Sequence, residues 1–290
     1  MNMVTVAAVQ MECRGTVKEN ISRAEALVRK ASGEGAGIIL LPELFERPYF
    51  CQERRYSFYD YAAPVMDNEA VKRFLKVTEE LKIVLPVSFF EREGNQAYNS
   101  LAILDCGKLL GIYRKTHIPD DHYYQEKFYF TPGNTGFCVW DTTFGRIGAA
   151  ICWDQWFPEA ARIMALQGAE LLLYPTAIGS EPILNTDSSA HWQRVMQGHA
   201  AANIMPVAAA NRIGTERVLP SEENGNQSSE LTFYGHSFIA DETGEIKTEA
   251  AFGEETIIMA EFDLEGIAKA RMEWGVYRDR RPEMYEGILQ

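Results

Sequence analysis

The chain has 290 residues, of which 46% are hydrophobic and 24% are charged, as is typical of a folded globular protein rather than a disordered or fibrous one. Its 41 acidic residues outnumber its 28 basic residues, and the net charge of −13 argues against nucleic-acid binding, which needs a basic surface. The five cysteines form no C-x-x-C or zinc-finger pattern, which indicates a reducing compartment. No secretory signal or membrane-spanning run is visible, so we expect a cytoplasmic protein that does not bind membranes.

The first half of the chain predicts alternating strands and helices. Residues 4–9 form an apolar run typical of a buried strand, and Thr16 with Glu19 forms a capping box that predicts the start of a helix. A second strand over residues 37–42 ends at Glu43, which completes a parallel βαβ unit. The further elements expected in this half are a helix over residues 68–82 and strands over residues 83–89, 97–104 and 109–113.

The second half weakly repeats the first. The segment ELLLYPT at 170–176 is similar to IILLPE at 38–43, since each is an apolar strand that ends at a proline. The elements expected here are strands over residues 137–141, 146–151, 170–174, 206–210, 237–240 and 256–262, and helices over residues 158–167 and 190–203. We expect a surface loop at 224–229, and we expect the long aromatic loop at 115–136 to be functional. The alternation predicts an α/β sandwich of mixed sheets in one domain, residues 1–290.

Cys152 is the side chain best suited to act as a nucleophile. It follows the apolar run 146–151 and precedes a helix expected to begin at Pro158, so it lies at a strand–turn–helix junction. Such a turn exposes the nucleophile beside backbone N–H groups, and a helix N-terminus would favour the thiolate. A buried, inert cysteine is the commoner fate of an unpaired thiol, and spacing alone leaves that interpretation open.

Three further side chains could supply acid–base or electrostatic chemistry. Glu43 lies at the carboxyl end of an apolar strand, where burial would raise the pKa of a carboxyl group, and Glu46 competes with it for this role. Lys115 could stabilise an oxyanion, but so could Arg114, and strand alternation places only one of the two inward. Glu126 is either a buried carboxylate paired with a cation or half of a solvated pair with the lysine that follows it.

Other chemistries find little support in the sequence. Neither a glycine-rich nucleotide-binding motif nor a metal-hydrolase motif is present. His191 and His199 lie eight residues apart on one expected helix, which is too far for a chelating pair. Spacing alone leaves open a catalytic dyad of Cys152 with His117 or His122.

Three motifs in the right order resemble the nitrilase (carbon–nitrogen hydrolase) superfamily over nearly the whole chain: LLPELF around Glu43, YRKTHIPD around Lys115 and ICWDQWFPE around Cys152. The resemblance implies a four-layer αββα sandwich with two mixed β-sheets. It also implies that these three residues form the catalytic triad of the family, with Glu126 as its frequent second glutamate. A homo-oligomer, built by stacking sandwiches across helical faces, is implied as well.

Longer segments narrow this resemblance to the branch that hydrolyses carbamoylated amines. They are EKFYFTPG, CWDQWFPEAAR, YPTAIGSEP, HWQRVMQGHAAAN and NRIG, whereas DDHYY at 120–124 departs from the Gly/Pro-rich loop entry expected there. The implied reaction forms a carbamoyl thioester on Cys152, with Glu43 transferring protons. Lys115 and the backbone N–H of Trp153 would hold the oxyanion. This chemistry needs no metal and no organic cofactor.

The small cationic carbamoyl substrate of that branch would need an apolar tunnel and a carboxylate partner for its ammonium group. Glu181, just after an expected strand end, is the candidate partner, and a solvated carboxylate at a helix start is the alternative interpretation. The candidate tunnel walls are Tyr49, Phe130, Trp153 and Trp156, although aromatic residues also commonly pack in a core or an oligomer contact.

Two other functions remain open from the sequence. Another branch of the family would act on N-carbamoyl amino acids, β-ureidopropionate or an ω-amide, and its pocket would present a cation such as Arg212 to the substrate carboxylate. A catalytically silent member would act as a binding or scaffold protein, but it would be expected to lack one of the three triad residues. Residues 276–290 form a C-terminal tail that we expect to dock on a neighbouring subunit rather than to be disordered.

Overall fold

The protein is a sandwich of two β-sheets with helices packed on the outside. The structure, a computed structural model, describes residues 3–180 and 187–289. Apolar side chains from both sheets share one core, and a second core lies between the larger sheet and its helices. These layers and the mixed parallel and antiparallel pairing confirm the predicted αββα fold class.

The strands and helices follow one another in mixed order along the chain. The strands are β1 (Met3–Glu12), β2 (Ile38–Leu40), β3 (Val84–Glu93), β4 (Gln96–Asp105), β5 (Lys108–Arg114), β6 (Val139–Thr142), β7 (Gly145–Ala149), β8 (Leu171–Pro175), β9 (Val207–Ala210), β10 (Arg212–Val218), β11 (Ser229–Tyr234), β12 (Phe238–Ala240), β13 (Ile246–Glu249) and β14 (Thr256–Asp263). The α-helices are α1 (Val17–Gly33), α2 (Glu69–Leu81), α3 (Pro158–Leu166), α4 (Ser189–Asn203) and α5 (Leu264–Trp274). The larger sheet runs β11-β10-β1-β2-β3-β4-β5 with β14 beside β1, and the smaller runs β13-β12-β9-β8-β7-β6.

Each sheet is built around the same parallel unit. In the larger sheet, β1, β2 and β3 are parallel neighbours joined through α1 and α2. In the smaller sheet, β7, β8 and β9 are parallel neighbours joined through α3 and α4. Antiparallel strands flank both units. The weak sequence repeat therefore marks equivalent central strands, β2 and β8.

The first strand shows why its sequence is almost wholly apolar. Val4 and Val6 belong to the core between the sheets, whereas Ala7 and Val9 belong to the core under α1 and α2. Successive side chains of a strand point to opposite faces, so a strand covered on both faces needs apolar residues at every position. The predicted capping box also forms, with Thr16 as the N-cap of α1.

Two strands that the sequence analysis missed extend the larger sheet. β10 pairs with β1 at Met11 and Glu12 and with β11 along its length. The segment RIGTERV does not look like a buried strand because it is charged, but Arg212 and Glu216 are buried as a pair. Tertiary contacts therefore override local strand propensity here. The predicted loop at 224–229 does connect β10 to β11, although Ser229 already belongs to β11.

Candidate active site

The carboxyl ends of strands from both sheets, with one loop segment, bring four polar side chains into the interior. Glu43 follows β2, Lys115 directly follows β5, and Cys152 begins a short 3-10 helix after β7. Glu126 begins another 3-10 segment inside the long aromatic loop. None of the four is more than 5% exposed to solvent. The sequence-predicted triad residues and the second glutamate therefore occupy one buried region.

Lys115 joins the two carboxylates into one cluster. Its Nζ lies 2.8 Å from Glu43 Oε1 and 2.7 Å from Glu126 Oε2. Glu43 Oε1 also accepts a hydrogen bond from Asn99 Nδ2 at 2.7 Å, and Glu126 Oε1 accepts one from the Tyr49 hydroxyl at 2.6 Å. The lysine is thus held as an ammonium in a site shielded from bulk solvent.

The remaining oxygen of Glu43 has no such partner. Oε2 is buried and accepts no hydrogen bond from any residue in the described ranges. Buried carboxylate oxygens are nearly always paired because desolvation without a hydrogen bond is unfavourable. A buried acceptor left open beside a lysine and a thiol is positioned to receive a proton.

Burial and charge set the protonation of the cluster. Burial raises the pKa of the Cys152 thiol well above its ordinary range, with Glu43 adding to the rise and Lys115 opposing it. Burial raises the pKa of Glu126 to about 7, against the lowering effect of Lys115. Burial alone would lower the pKa of Lys115, but Glu126 and Glu43 overcome it and raise that pKa well above its ordinary range. The resting cluster therefore holds a neutral thiol and an ammonium.

The neutral thiol differs from the sequence expectation that a helix N-terminus would favour the thiolate. The helix α3 begins only at Pro158, and the 3-10 segment Cys152–Trp156 intervenes. Cys152 itself has a φ of 42°, a left-handed conformation that is unfavourable for a residue other than glycine. This sharp turn agrees with the expected strand–turn–helix junction, but deprotonation needs a base rather than a helix dipole.

The structure decides between the alternative charged residues that the sequence left open, Arg114 or Lys115 and Glu43 or Glu46. Arg114 points away from Lys115 and forms hydrogen bonds of 2.6 and 2.8 Å to Glu91. Glu46 is buried but accepts from Asn68 Nδ2 at 3.1 Å, outside the lysine cluster. Lys115 is therefore the inward residue of its pair, and Glu43 rather than Glu46 meets it.

Neither histidine of the possible dyads lies against the thiol in this arrangement. His117 Nδ1 bonds to Asp154 at 2.8 Å, and His122 is an exposed partner of Asp121. The hydrogen bond of the Cys152 thiol goes instead to the carbonyl oxygen of Ala177, at 3.8 Å. The described geometry thus favours the glutamate as the base.

The predicted tunnel residues separate into different environments. Tyr49 is buried against the cluster through its hydroxyl group, whereas Phe130 packs among Phe50 and Phe90 in an aromatic core. The side chain of Trp153 is 40% exposed next to the nucleophile, and its ring packs edge-on against Trp156. The predicted ammonium partner, Glu181, lies outside the described residues.

Arg212 is buried and engaged with the backbone. Its Nε donates to the Glu43 carbonyl at 3.0 Å, and its Nη2 donates to the carbonyls of Leu44 and, at 2.9 Å, Arg47. Its Nη1 lies 3.1 Å from Glu216 Oε1. Arg212 therefore holds the turn that carries Glu43, and its donors face protein atoms rather than an open pocket.

Asn99 and the carboxylate of Glu216 were missed by sequence reasoning. Asn99 lies in the middle of the apolar strand β4 and is fully buried. A polar amide followed by the largely apolar stretch SLAIL was a signal for a buried hydrogen bond. Glu216 gave no such signal, because its partner Arg212 is identifiable only once the fold is known.

Other features of the described residues bear on cofactors and location. All five cysteines are unpaired. Within residues 3–180 and 187–289, no group of three or more His, Cys, Asp or Glu side chains is placed to hold a metal ion. The helices in those ranges are too short or too polar to cross a membrane.

Comparison with known proteins places the chain in a family. The family model for carbon–nitrogen hydrolases matches residues 5–272, and the chain belongs to that family. N-carbamoylputrescine amidase from Solanum tuberosum is 55% identical over 289 residues, which cover 99% of this chain and 95% of that protein. Citrullinase from Francisella tularensis subsp. tularensis is 49% identical over 292 residues, which cover 100% of this chain and 99% of that protein. The crystal structure of a carbon–nitrogen hydrolase from Helicobacter pylori matches with a TM-score of 0.90 and 36% identity over 99% of each chain.

Proposed function

We propose that the protein hydrolyses N-carbamoylputrescine to putrescine, carbon dioxide and ammonia in polyamine biosynthesis, through a carbamoyl thioester on Cys152. The observation that carries this chemistry is the unpaired, buried Glu43 Oε2 in a cluster with Lys115, whose charges act on the Cys152 thiol. The 55% identity to an N-carbamoylputrescine amidase supports the choice of substrate.

In the first half of the reaction the thiol attacks the ureido carbonyl carbon. Glu43 takes the thiol proton, and the new C–S bond places negative charge on the carbonyl oxygen. The Lys115 ammonium and the backbone N–H of Trp153 stabilise that charge. Glu43 then returns its proton to the terminal nitrogen, the C–N bond breaks, and ammonia leaves an N-alkylcarbamoyl thioester on Cys152.

In the second half water hydrolyses the thioester. Glu43 removes a proton from the water, and the water oxygen attacks the carbonyl carbon of the thioester. The C–S bond then breaks, and Glu43 returns the proton to the sulfur to regenerate the Cys152 thiol. The resulting carbamate decomposes to carbon dioxide and putrescine. Glu126, with a pKa near 7 and bonds to Lys115 and Tyr49, orients the lysine and the water.

The far end of the substrate distinguishes the two named relatives. Citrulline carries the same ureido group, but it adds a carboxylate next to its ammonium group. Arg212, the cation predicted for a substrate carboxylate, has its Nε and Nη2 donors on backbone carbonyls and its Nη1 on Glu216. Because Arg212 already bonds to the turn that carries Glu43, a substrate without a carboxylate is favoured. The 49% identity to a citrullinase makes citrulline the second candidate.

Ammonia release from three ureas of similar length tests the substrate. The compounds are N-carbamoylputrescine, citrulline and uncharged N-butylurea, which differ in the charge at their far end. We expect the highest kcat/KM for N-carbamoylputrescine, with citrulline lower by roughly tenfold or more because Arg212 is already bonded to the Glu43 turn and to Glu216. A higher value for citrulline would reassign the substrate, and no ammonia from any of the three would refute the carbamoyl chemistry.

Replacing the nucleophile tests the mechanism. Cys152→Ala is expected to abolish ammonia release, while far-UV circular dichroism shows an intact fold. The matched control is Cys138→Ala, because Cys138 is half-buried with its thiol on the Thr135 carbonyl and should be dispensable. Mass spectrometry of quenched wild-type enzyme should show the carbamoyl adduct on Cys152, and turnover by Cys152→Ala at the wild-type rate would exclude the thioester.

The remaining sequence predictions belong to this proposal. Glu181 would pair with the substrate ammonium group, so that Glu181→Gln should raise KM for N-carbamoylputrescine far more than for N-butylurea. Equal losses on the two compounds would remove Glu181 from this role. The enzyme would act in the cytoplasm as a homo-oligomer, with residues 276–290 of the single domain docked on a neighbouring subunit.

A further inference from the structure

A buried carboxylate that the mechanism leaves unused lies between the nucleophile and the lysine. Asp154 is the third residue of the 3-10 segment Cys152–Trp156 and is completely buried. It belongs to the same segment as the nucleophile, but three of its four hydrogen bonds come from the end of β5 in the other sheet and the residues just after it. Its position makes it a link between two parts of the active site.

Each oxygen of Asp154 accepts two hydrogen bonds. Oδ2 accepts from the backbone N–H of Ile151 at 3.0 Å and from the Tyr113 hydroxyl at 2.7 Å. Oδ1 lies 2.9 Å from the backbone nitrogen of His117 and 2.8 Å from its ring Nδ1. Because a carboxylate only accepts, His117 must carry its proton on Nδ1.

The residues that donate these hydrogen bonds are close neighbours of the catalytic residues in the sequence. Ile151 immediately precedes Cys152, whereas Tyr113 and His117 lie two residues before and two residues after Lys115. The lysine follows β5 of the larger sheet, and the cysteine follows β7 of the smaller one. No ladder of backbone hydrogen bonds connects β5 to β7, so Asp154 supplies a polar link between these two strand ends.

The nucleophile turn needs such support. Cys152 has a φ of 42°, and unfavourable backbone conformations persist only where their surroundings fix them. The bond from the Ile151 N–H to Asp154 fixes the peptide between Ala150 and Ile151, at the entry to the turn, and hydrogen bonds to a charged acceptor are stronger than neutral ones. On the other side the His117 ring stacks on Phe157, with centroids 3.6 Å apart and planes within 6°.

We propose that Asp154 is a positioning residue that fixes the Cys152 turn relative to the strand end that carries Lys115. Its two oxygens divide this task, since Oδ2 holds the turn and Tyr113 while Oδ1 holds His117. The lysine ammonium then lies where the carbonyl attacked by the thiol develops its charge. The inference rests on the proposed function for the reaction that is assisted, but the contacts that carry it are independent of the substrate.

Asp154→Asn is the sharpest test because it keeps the shape of the side chain and exchanges one acceptor oxygen for an NH2 donor. The two backbone N–H groups, of Ile151 and His117, meet different oxygens, so either orientation of the amide opposes one of them with a donor. We expect kcat to fall by roughly 30-fold to 100-fold, since displacement of about 1 Å has effects of that size. KM should change by less than about threefold, because the substrate-binding end is untouched.

Asp105→Asn is the matched control. Asp105 is also a buried carboxylate that joins the two sheets, through a 2.9 Å hydrogen bond from the Thr143 N–H in the β6–β7 turn. Asp105 is the last residue of β4, whereas Asn99 lies toward the other end of that strand. Thr143, the partner of Asp105, lies before the start of β7, at the opposite end of that strand from Cys152. We expect kcat close to wild type and a smaller loss of thermal stability than in Asp154→Asn, because Asp105 Oδ1 has no hydrogen-bond partner among the described residues and can be exchanged for an NH2 group.

The combined results decide the proposal. Equal kcat values for Asp154→Asn and Asp105→Asn, or a rise in KM at constant kcat, would overturn it. Tyr113→Phe removes one of the four hydrogen bonds to Asp154, together with the contacts of the Tyr113 hydroxyl to Thr116. It should lower kcat by roughly threefold to tenfold, which keeps the test decisive if Asp154→Asn does not fold. Unchanged kcat in a folded Tyr113→Phe variant would then overturn the proposal.

A readout without the substrate separates this inference from the proposed function. Iodoacetamide is a small amide that alkylates thiols, and mass spectrometry reports its rate of reaction at Cys152. We expect slower alkylation in Asp154→Asn than in Asp105→Asn, because loss of the Asp154 bonds displaces the Cys152 turn relative to its base, Glu43. An inactive wild-type enzyme with this difference would refute only the substrate, whereas an active enzyme without it would refute the role of Asp154.

Discussion

At the scale of single residues, the site is defined by one buried ammonium that serves two carboxylates. Lys115 bonds to both Glu43 and Glu126 inside the protein, and two carboxylates with one cation are unfavourable to bury. The rise in the pKa of Glu126 to about 7 reflects that burial, with Glu43 adding to it. The arrangement therefore sacrifices stability near neutral pH for a primed acid–base cluster.

Glu126→Gln tests this trade through pH. The pKa of Glu126 is about 7 when folded, against about 4.3 for a solvated glutamate, so the native state binds the extra proton between these values. Its stabilising contribution is fully present below about pH 4.3 and is lost as pH rises through 7. Urea unfolding should show wild-type stability falling over this window relative to Glu126→Gln. Parallel pH profiles of the two proteins would contradict the raised pKa.

The catalytic candidates were predictable from the sequence because each follows an apolar strand end. Glu43, Lys115 and Cys152 carry local signals of that kind, and the structure places them in one region. Asn99 and Asp154 could not be assigned, because their partners lie on other elements and only tertiary packing brings them together. A buried amide such as Asn99 signals that a hydrogen bond forms, but its partner is identifiable only in the folded protein.

At the scale of elements, β10 acts as the support for the Glu43 turn. Arg212 begins this strand, its backbone pairs with Met11 of β1, and its guanidinium reaches the carbonyls that follow β2. Leu44 within that turn has a φ of 48°, so the turn is held in an unfavourable conformation. A strand that the sequence pattern failed to predict thus supports the proposed base.

Arg212→Lys should show this support directly. A lysine keeps the charge but cannot present the planar fork that bonds to several carbonyls at once. We expect a loss of at least about 2 kcal/mol in the free energy of unfolding, measured by urea denaturation, and a fall in kcat. Arg217→Lys is the control, since that arginine is exposed on the same strand and pairs with Glu230. Equal stability of both variants would contradict the role of Arg212 in supporting the Glu43 turn.

Element boundaries show what governs prediction at this scale. The capping box of α1 was identified because its signal lies within four residues, Thr16 to Glu19. β10 was missed because its buried charges are paired only in three dimensions, through Arg212 and Glu216. The equivalent central strands β2 and β8, one in each sheet, were predicted because apolar runs ending at proline are visible locally.

At the scale of the whole molecule, the C-terminal segment presents apolar side chains that the single chain does not cover. Tyr277 is anchored through its hydroxyl to the Asn203 carbonyl at 2.8 Å, but Met284, Ile288 and Leu289 beyond it are 63–89% exposed. Contiguous exposed apolar residues are typical of an interaction surface. This supports the proposal that the tail docks on a neighbouring subunit.

A double substitution, Ile288→Glu with Leu289→Glu, tests the tail without shortening it. Charges at these positions should prevent docking, so light scattering after gel filtration should report a smaller assembly with a lower melting temperature. Leu219→Glu is the control, because Leu219 is 76% exposed in another part of the chain. An unchanged assembly in the double variant would show that the tail does not mediate association.

The direct contact between the two central strand ends has a consequence for unfolding. The Glu43 N–H donates to the Thr176 carbonyl at 3.3 Å, so equivalent positions of the two halves touch. The base and the lysine come from the first half, and the nucleophile comes from the second. Activity therefore reports on the seam between the halves. Low denaturant concentrations that separate the two halves at this contact should abolish ammonia release before either β-sheet unfolds.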